Sequence, residues 1–204
     1  MDFTLLGTDP RFLYLKRRLE ADGHRITADS PHQIAPPAWK QGVPYYRDEI
    51  YTIENAALTA EGALELIMRR SNRALAGMDV LVVGFGRIGG FLAGMLSSLG
   101  AKVTVAARSE MARAAARARG HNSVDIKNVD GPYDAVVNTV PAQVLEGDYG
   151  GALCLDLASA PGGWRSDAPV LRAPGLPGLY APKAAADVMA EAIYRVMEEE
   201  KENV

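Results

Sequence analysis

Residues 81–109 read LVVGFGRIGGFLAGMLSSLGAKVTVAARS, and the residue types that suggest chemistry sit at the two ends of this stretch. Gly84, Gly86 and Gly89 form a G-x-G-x-x-G spacing directly after the apolar run VLVVG. In such a unit the first glycine permits a tight turn, the second lets a pyrophosphate approach the backbone, and the third lets the helix pack closely on the strand. The helix that opens there, through Arg87 and Ile88, presents backbone amides and the positive end of its dipole to phosphate oxygens. The spacing therefore predicts a dinucleotide site at Gly84, Gly86, Arg87, Ile88 and Gly89. The second strand, KVTVAARS, ends without the acid that normally accepts the ribose hydroxyls. Arg108 offers a planar charged fork suited to a 2′-phosphate, Ser109 adds a hydroxyl, and Arg113 lies within reach from the following helix. NADP is the expected cofactor, with NAD left open.

The elements that must hold these residues follow from periodicity. Continuous apolar strands are expected at 80–84, 102–106, 134–140, 152–156 and 170–173, alternating with helices. That pattern predicts a parallel sheet covered on both faces. Asn138, Thr139, Val140 and Pro141 close the third strand, where a loop lines the nicotinamide side of the crevice. Before this region, DFTLLG, a helix burying Phe12, Leu15 and Leu19, and HRIT make a small βαβ lobe. Pro31, Pro36, Pro37 and Pro44 then predict an irregular linker. A helix is expected to begin near Thr59 as its N-cap, with Glu61 in the first turn and Leu64, Ile67 and Met68 buried. The last helix, about 182–200, is expected to bury Val188, Met189, Ala192, Ile193, Val196 and Met197. The fold class is thus α/β: a Rossmann-like doubly wound parallel sheet with a small, truncated amino-terminal βαβ lobe. Its divisions are 1–48, a connecting helix over 49–76, the nucleotide-binding domain over 77–181, and the final helix over 182–204. A first lobe of that size cannot bury a core alone and must lean on the rest of the chain or on another protomer.

Composition narrows the function. The chain has 204 residues, 48% apolar and 23% charged, with a net charge of -3, which gives no reason to expect nucleic acid or a membrane surface as partner. Arg113, Arg117 and Arg119 read as a solvated helix face. No apolar run reaches the length of a membrane span, and the first residues carry no basic cluster, so a cytoplasmic protein is expected. Cys154, the single cysteine, lies in the apolar run ALCLDL and reads as a buried thiol. His24, His32 and His121 have no metal-ligand spacing, so no metal is expected.

Several stretches taken together resemble one family. TIENAALTAEGAL, VLVVGFGRIG, VAARS, VVNTVPA, LDLASAPGG and APGLPGLYAPKAAADVM occur in the order seen in the A subunit of dipicolinate synthase, and GTDPR, with Asp9 and Arg11, is similar to that family's beginning. The resemblance spans about residues 47–197. It implies a sporulation-linked oxidoreductase that converts dihydrodipicolinate, or its hydroxylated tetrahydro precursor, to dipicolinate with an NADP-type acceptor. It further implies that a flavoprotein-like B subunit is the working partner. The segment 31–44 stands where the family has a fuller strand-rich lobe, so that lobe is reduced here.

Aromatising a dihydropyridine dicarboxylate requires a hydride acceptor, a base for one ring proton, and donors for two carboxylates. Ser159 and the amides of Gly162 and Gly163 are candidates for an anion-binding nest, Lys183 for the second carboxylate, and Arg165 as a further cation. Glu61 and Asn55 are the candidate proton-handling residues from the TAEGA segment. Asp156 closes a strand and suits either role. The small dicarboxylate is the expected substrate, and self-association into a homo-oligomer is expected from the small first lobe. Two other readings stay open: a shikimate- or amino-acid-dehydrogenase-like enzyme, and a non-catalytic NADP-binding sensor or scaffold subunit.

Overall fold

In the computed structural model, which describes residues 1–165 and 168–202, the chain divides into two compact units: 1–58 together with 177 onward, and 59–176. Residues 203 and 204, the end of the expected final segment, lie outside the described residues.

The first unit begins with β1 (Asp2–Leu5), α1 (Phe12–Ala21) and β2 (Arg25–Ile26). Phe12, Leu15 and Leu19 recur at helical spacing and form the buried face of α1. The proline-bearing segment is more regular than its composition predicts. Gln33–Ile34 forms β3, and the three strands make a parallel sheet in the order β2-β1-β3. Ser30 explains the difference: its amide donates to the Thr4 hydroxyl oxygen at 2.8 Å and its hydroxyl to the Asp2 carbonyl at 2.6 Å. These bonds lay the chain beside β1, and Ile34 is fully buried there. The prolines that follow fall in or beside two short 3₁₀ turns, Pro37–Trp39 and Tyr45–Arg47.

The next helix, α2, runs Glu49–Arg70, so the expected start at Thr59 is corrected. Asp48 is the residue that caps it, accepting the Tyr51 amide at 2.6 Å through its carboxylate. Thr59 lies in mid-helix and is buried, and Glu61 is exposed well beyond the first turn. The buried side is set by Ala60, Ala63, Leu66 and Ile67; Leu64 is half-buried and Met68 is 60% exposed. Ala60 and Ala63 share the buried face with Leu66 and Ile67, and Met68 turns outward.

The second unit holds β4 (Asp79–Val83), α3 (Arg87–Ser98), β5 (Lys102–Ala107), α4 (Glu110–Ala118), β6 (Asn122–Asp125), β7 (Ala135–Asn138), β8 (Leu153–Asp156) and β9 (Val170–Arg172). All pair in parallel, in the order β6-β5-β4-β7-β8-β9. This is the doubly wound sheet that the alternation predicts. β6 was not expected, because NSVD is a polar strand at the sheet's edge. Successive β4 residues face opposite sides: Val80 and Val82 pack with Leu92, Leu96 and Ile67, and Leu81 and Val83 with Val136, Cys154 and Trp164. Burial pushes the Cys154 thiol up to about 11, which keeps it protonated at neutral pH.

A short helix, α5 (Leu176–Tyr180), leads to α6 (Pro182–Glu202), which belongs to the first unit. Met189, Ala192, Ile193 and Met197 are buried with Phe3, Leu15 and Leu19, and Val188 and Val196 are half-buried against them. The carboxy-terminal helix thus completes the core that the short first lobe cannot form alone. Full burial of Leu15 or Leu19 stabilises that core by about 1.5–3 kcal/mol each.

Candidate cofactor and substrate site

The parallel register places the carboxyl ends of β5, β4, β7 and β8 side by side, with Val83 opposite Ala106 and Asn138, and Asn138 opposite Asp156. At the end of β4 the glycine turn assigns one task to each glycine. Gly84 has φ 95°, and a Cβ there would lie 2.5 Å from the Thr139 Oγ1 and 2.7 Å from the Val140 Cγ2. A Cβ on Gly89 would run into the carbonyl oxygen of Gly84, so α3 packs directly on the turn. At Gly86 nothing lies within 4 Å of the Cβ position, leaving open space. No side chain caps α3, and the amides of Ile88 and Gly89 find no acceptor among the described residues. An open glycine beside unfilled helix-start amides fits a pyrophosphate. Thr139 holds the turn from β7: its amide and its hydroxyl both donate to the Val83 carbonyl, at 2.9 and 2.8 Å.

At the end of β5, Arg108 and Ser109 are exposed. Ser109 caps α4, its hydroxyl oxygen accepting the Ala112 amide at 3.5 Å. Arg113 is already engaged and does not join them. Its Nη1 donates to the Ala107 and Arg108 carbonyls at 2.7 and 2.8 Å and to Asp125 at 2.9 Å, and Glu110 takes its other edge. Arg113 therefore fixes the backbone from which Arg108 projects. The Arg108 guanidinium makes no hydrogen bond or ion pair among the described residues.

The ends of β7 and β8 form a buried brace. Asn138 donates to Asp156 at 2.8 Å and to the Val140 carbonyl at 2.9 Å, and accepts the Val140 amide at 3.0 Å. Asp156 also accepts the amides of Gly163 at 2.8 Å and Ala158 at 3.2 Å. Both residues are almost fully buried. The Gly162 amide donates to the Ser159 carbonyl at 2.9 Å. The amides of Gly162 and Gly163 are thus spent within the loop, which corrects the reading of this turn as an open nest. Asp156, with its donors around it, has the geometry of a loop anchor. Ser159, Ala160 and Pro161 are the exposed part of the loop, and Pro141 is exposed after the neighbouring strand end. Arg165 is held by the Gln143 carbonyl and Glu146. Sequence reading missed this brace because it depends on strand register, although polar residues ending two apolar strands were its signal.

The remaining candidates fall apart by unit. Glu61 is exposed on the part of α2 that belongs to the second unit, and Asn55 is half-buried on the part that belongs to the first. Lys183 is exposed in the first unit, lining a hollow of about 360 Å³ with Tyr14, Pro182 and Asp187. Among the described residues no cluster of His, Cys, Asp and Glu is arranged to hold a metal ion, and no helix is long and apolar enough to cross a membrane.

Residues 54–145 match the family of the D-isomer specific 2-hydroxyacid dehydrogenase, NAD binding domain. The A subunit of dipicolinate synthase from Bacillus subtilis is 31% identical over 180 residues, covering 81% of this chain and 61% of that protein. The chain therefore spans about three fifths of that relative's length. The crystal structure of dipicolinate synthase, A chain, from Bacillus subtilis superposes with a TM-score of 0.71 at 27% identity, over 99% of this chain and 66% of the other. The A subunit of dipicolinate synthase from Bacillus halodurans shares the fold with a TM-score of 0.78 at 20% identity, over 96% and 97% of the two chains. Over these lengths the chain is similar to the A subunit of dipicolinate synthase, and its second unit is a Rossmann-like NAD-binding domain.

Proposed function

We propose that the protein is an NADP-dependent oxidoreductase of dipicolinate formation, acting in the cytoplasm of a sporulating cell on dihydrodipicolinate or its hydroxylated tetrahydro precursor. The observation that supports the cofactor half is the open Gly86 turn after β4 together with an exposed Arg108 after the paired strand β5, whose guanidinium has no partner among the described residues. Gly84, Gly86, Arg87, Ile88 and Gly89 would cradle the pyrophosphate, Arg108 and Ser109 the 2′-phosphate, and Thr139, Val140 and Pro141 the nicotinamide side, with Asn138 holding their loop. When bound, the cofactor supplies a hydride acceptor. Loss of a hydride and a ring proton from the dihydropyridine leaves the aromatic ring, so the chain has to orient the substrate, exclude water and take the proton. The exposed Glu61 carboxylate suits proton removal, and Asn55, six residues earlier on α2, is a separate candidate in the first unit. Ser159 is the proposed donor to a substrate carboxylate in the second unit, and Lys183 a separate candidate in the first. The B subunit of dipicolinate synthase is the proposed partner, and the chain is proposed to self-associate.

The internal commitment of Asn138, Asp156 and the Gly162–Gly163 amides favours one alternative, a non-catalytic NADP-binding sensor. Calorimetric titration separates the two. The enzyme reading predicts NADP binding tighter than NAD, followed by uptake of pyridine-2,6-dicarboxylate by the NADP-loaded chain. Nucleotide binding without dicarboxylate binding supports the sensor, and failure to bind either nucleotide overturns both.

A further inference from the structure

Gly178, the last residue of APGLPG, is far in sequence from GTDPR, yet the two meet in the first unit at one arginine. Arg11 follows β1, at the carboxyl end of the central strand of a parallel sheet, where open α/β sheets receive their ligands. Asp9 grips one edge of its guanidinium, with Nε to Oδ1 at 2.9 Å and Nη2 to Oδ2 at 2.7 Å, and also accepts the Arg11 amide at 2.9 Å. Nη1 donates to the Tyr51 hydroxyl at 3.0 Å, from the first turns of α2. Gly178, in APGLPG, packs on the aliphatic stem: a Cβ there would meet Arg11 Cγ at 3.5 Å.

This cluster leaves donors over. A guanidinium is donor-only, and after these bonds one N–H on each Nη remains. The Tyr51 hydroxyl accepts from Arg11 but donates its own proton to no acceptor among the described residues. Burial raises the Tyr51 pKa, so that proton stays in place at neutral pH. The Arg11 side chain is 11% exposed and Tyr51 is 4% exposed, so these donors are largely removed from water without being satisfied. A buried ion pair kept only for stability gains little over apolar packing, whereas a braced Arg fork beside a hydroxyl donor matches a planar carboxylate.

We infer that Arg11, braced by Asp9, and Tyr51 form a binding site for one carboxylate of a small planar substrate. The inference rests on the proposed dicarboxylate chemistry and adds a recognition site for it in the first unit. Tyr51 also packs edge-on against Tyr45, centroids 5.3 Å apart, so a phenylalanine there preserves the ring contact and removes only the hydroxyl.

The test is calorimetric titration of the NADP-loaded full chain with pyridine-2,6-dicarboxylate and with pyridine-2-carboxylate, for wild type, Tyr51→Phe and Arg11→Lys. Wild type is expected to prefer the dicarboxylate. Each variant should lose about tenfold or more of dicarboxylate affinity, with less change for the monocarboxylate and none for NADP. Unchanged dicarboxylate affinity in both variants, or equal losses for both acids and NADP, marks a structural brace and overturns the site. If wild type binds the dicarboxylate while the variants match it, the proposed function stands and this site alone fails. If wild type binds neither acid, both fail.

Discussion

Arg108 and Arg113 sit on the same turn with opposite assignments. Arg113 is consumed by two carbonyls and two carboxylates, and Arg108 is left facing solvent. Replacing Arg108 with alanine removes a charge-assisted phosphate contact and should weaken NADP binding by about 1.5–3 kcal/mol, leaving NAD unchanged. Competitive titration with the two cofactors checks it, and an equal loss for both contradicts it. Acid dependence belongs to the same scale. Burial opposes ionisation of Asp9, but the Arg11 hydrogen bonds and charge outweigh it and hold its carboxyl below the ordinary 3.8. The Arg195 hydrogen bond chiefly, with the Tyr51 amide, does the same for Asp48. A depressed folded-state pKa contributes stability that is complete above the unfolded value and lost as pH falls through the folded one. Denaturant midpoints should therefore fall below about pH 4. Asp9→Asn should flatten that fall; an unchanged slope excludes Asp9 as a source. The glycine roles were legible from sequence, since spacing alone dictates backbone geometry in that turn. The Asn138–Asp156–Gly163 brace was not, because nothing local says which strand end lies beside which.

Elements were legible where the apolar pattern is strong and misread where small or polar residues carry the structure. β4, β5, β7 and β8 appear close to their expected positions because their valines and leucines face both layers of the second unit. β6 is an exception, a polar edge strand defined by pairing with β5 rather than by its own composition. The start of α2 was displaced because Thr59 is a good capping residue in isolation, whereas Asp48 both caps the helix and pairs with Arg195 at 2.8 Å. Asp48→Ala should cost about 0.5–2 kcal/mol through the cap alone. Thermal unfolding of the variant measures it, and an unchanged midpoint would return the helix start to another residue. β3 shows the converse: two residues between prolines become a strand because Ser30 and Thr4 tie them to β1.

At the scale of the molecule, the chain returns at its carboxyl end to complete the first unit, and the part of α2 in that unit carries Ile50 and Ile53 exposed one turn apart. That pair is the basis for the proposed self-association. Ile53→Glu should shift light-scattering mass toward the monomer, and a wild type that is monomeric at every concentration contradicts the proposal. The first lobe is a small parallel sheet whose aromatic and aliphatic core is completed by α6. The likeness to the A subunit of dipicolinate synthase extends across both units. The proposed reaction is oxidation of a cyclic dicarboxylate with NADP. It is tested most directly by following NADPH absorbance when the chain and NADP meet freshly generated dihydrodipicolinate, with and without the B subunit of dipicolinate synthase. NADPH and dipicolinate should appear in equal amounts, more slowly in Arg108→Ala. Dipicolinate formed at the same rate without the chain, or no NADPH with both subunits present, would contradict it.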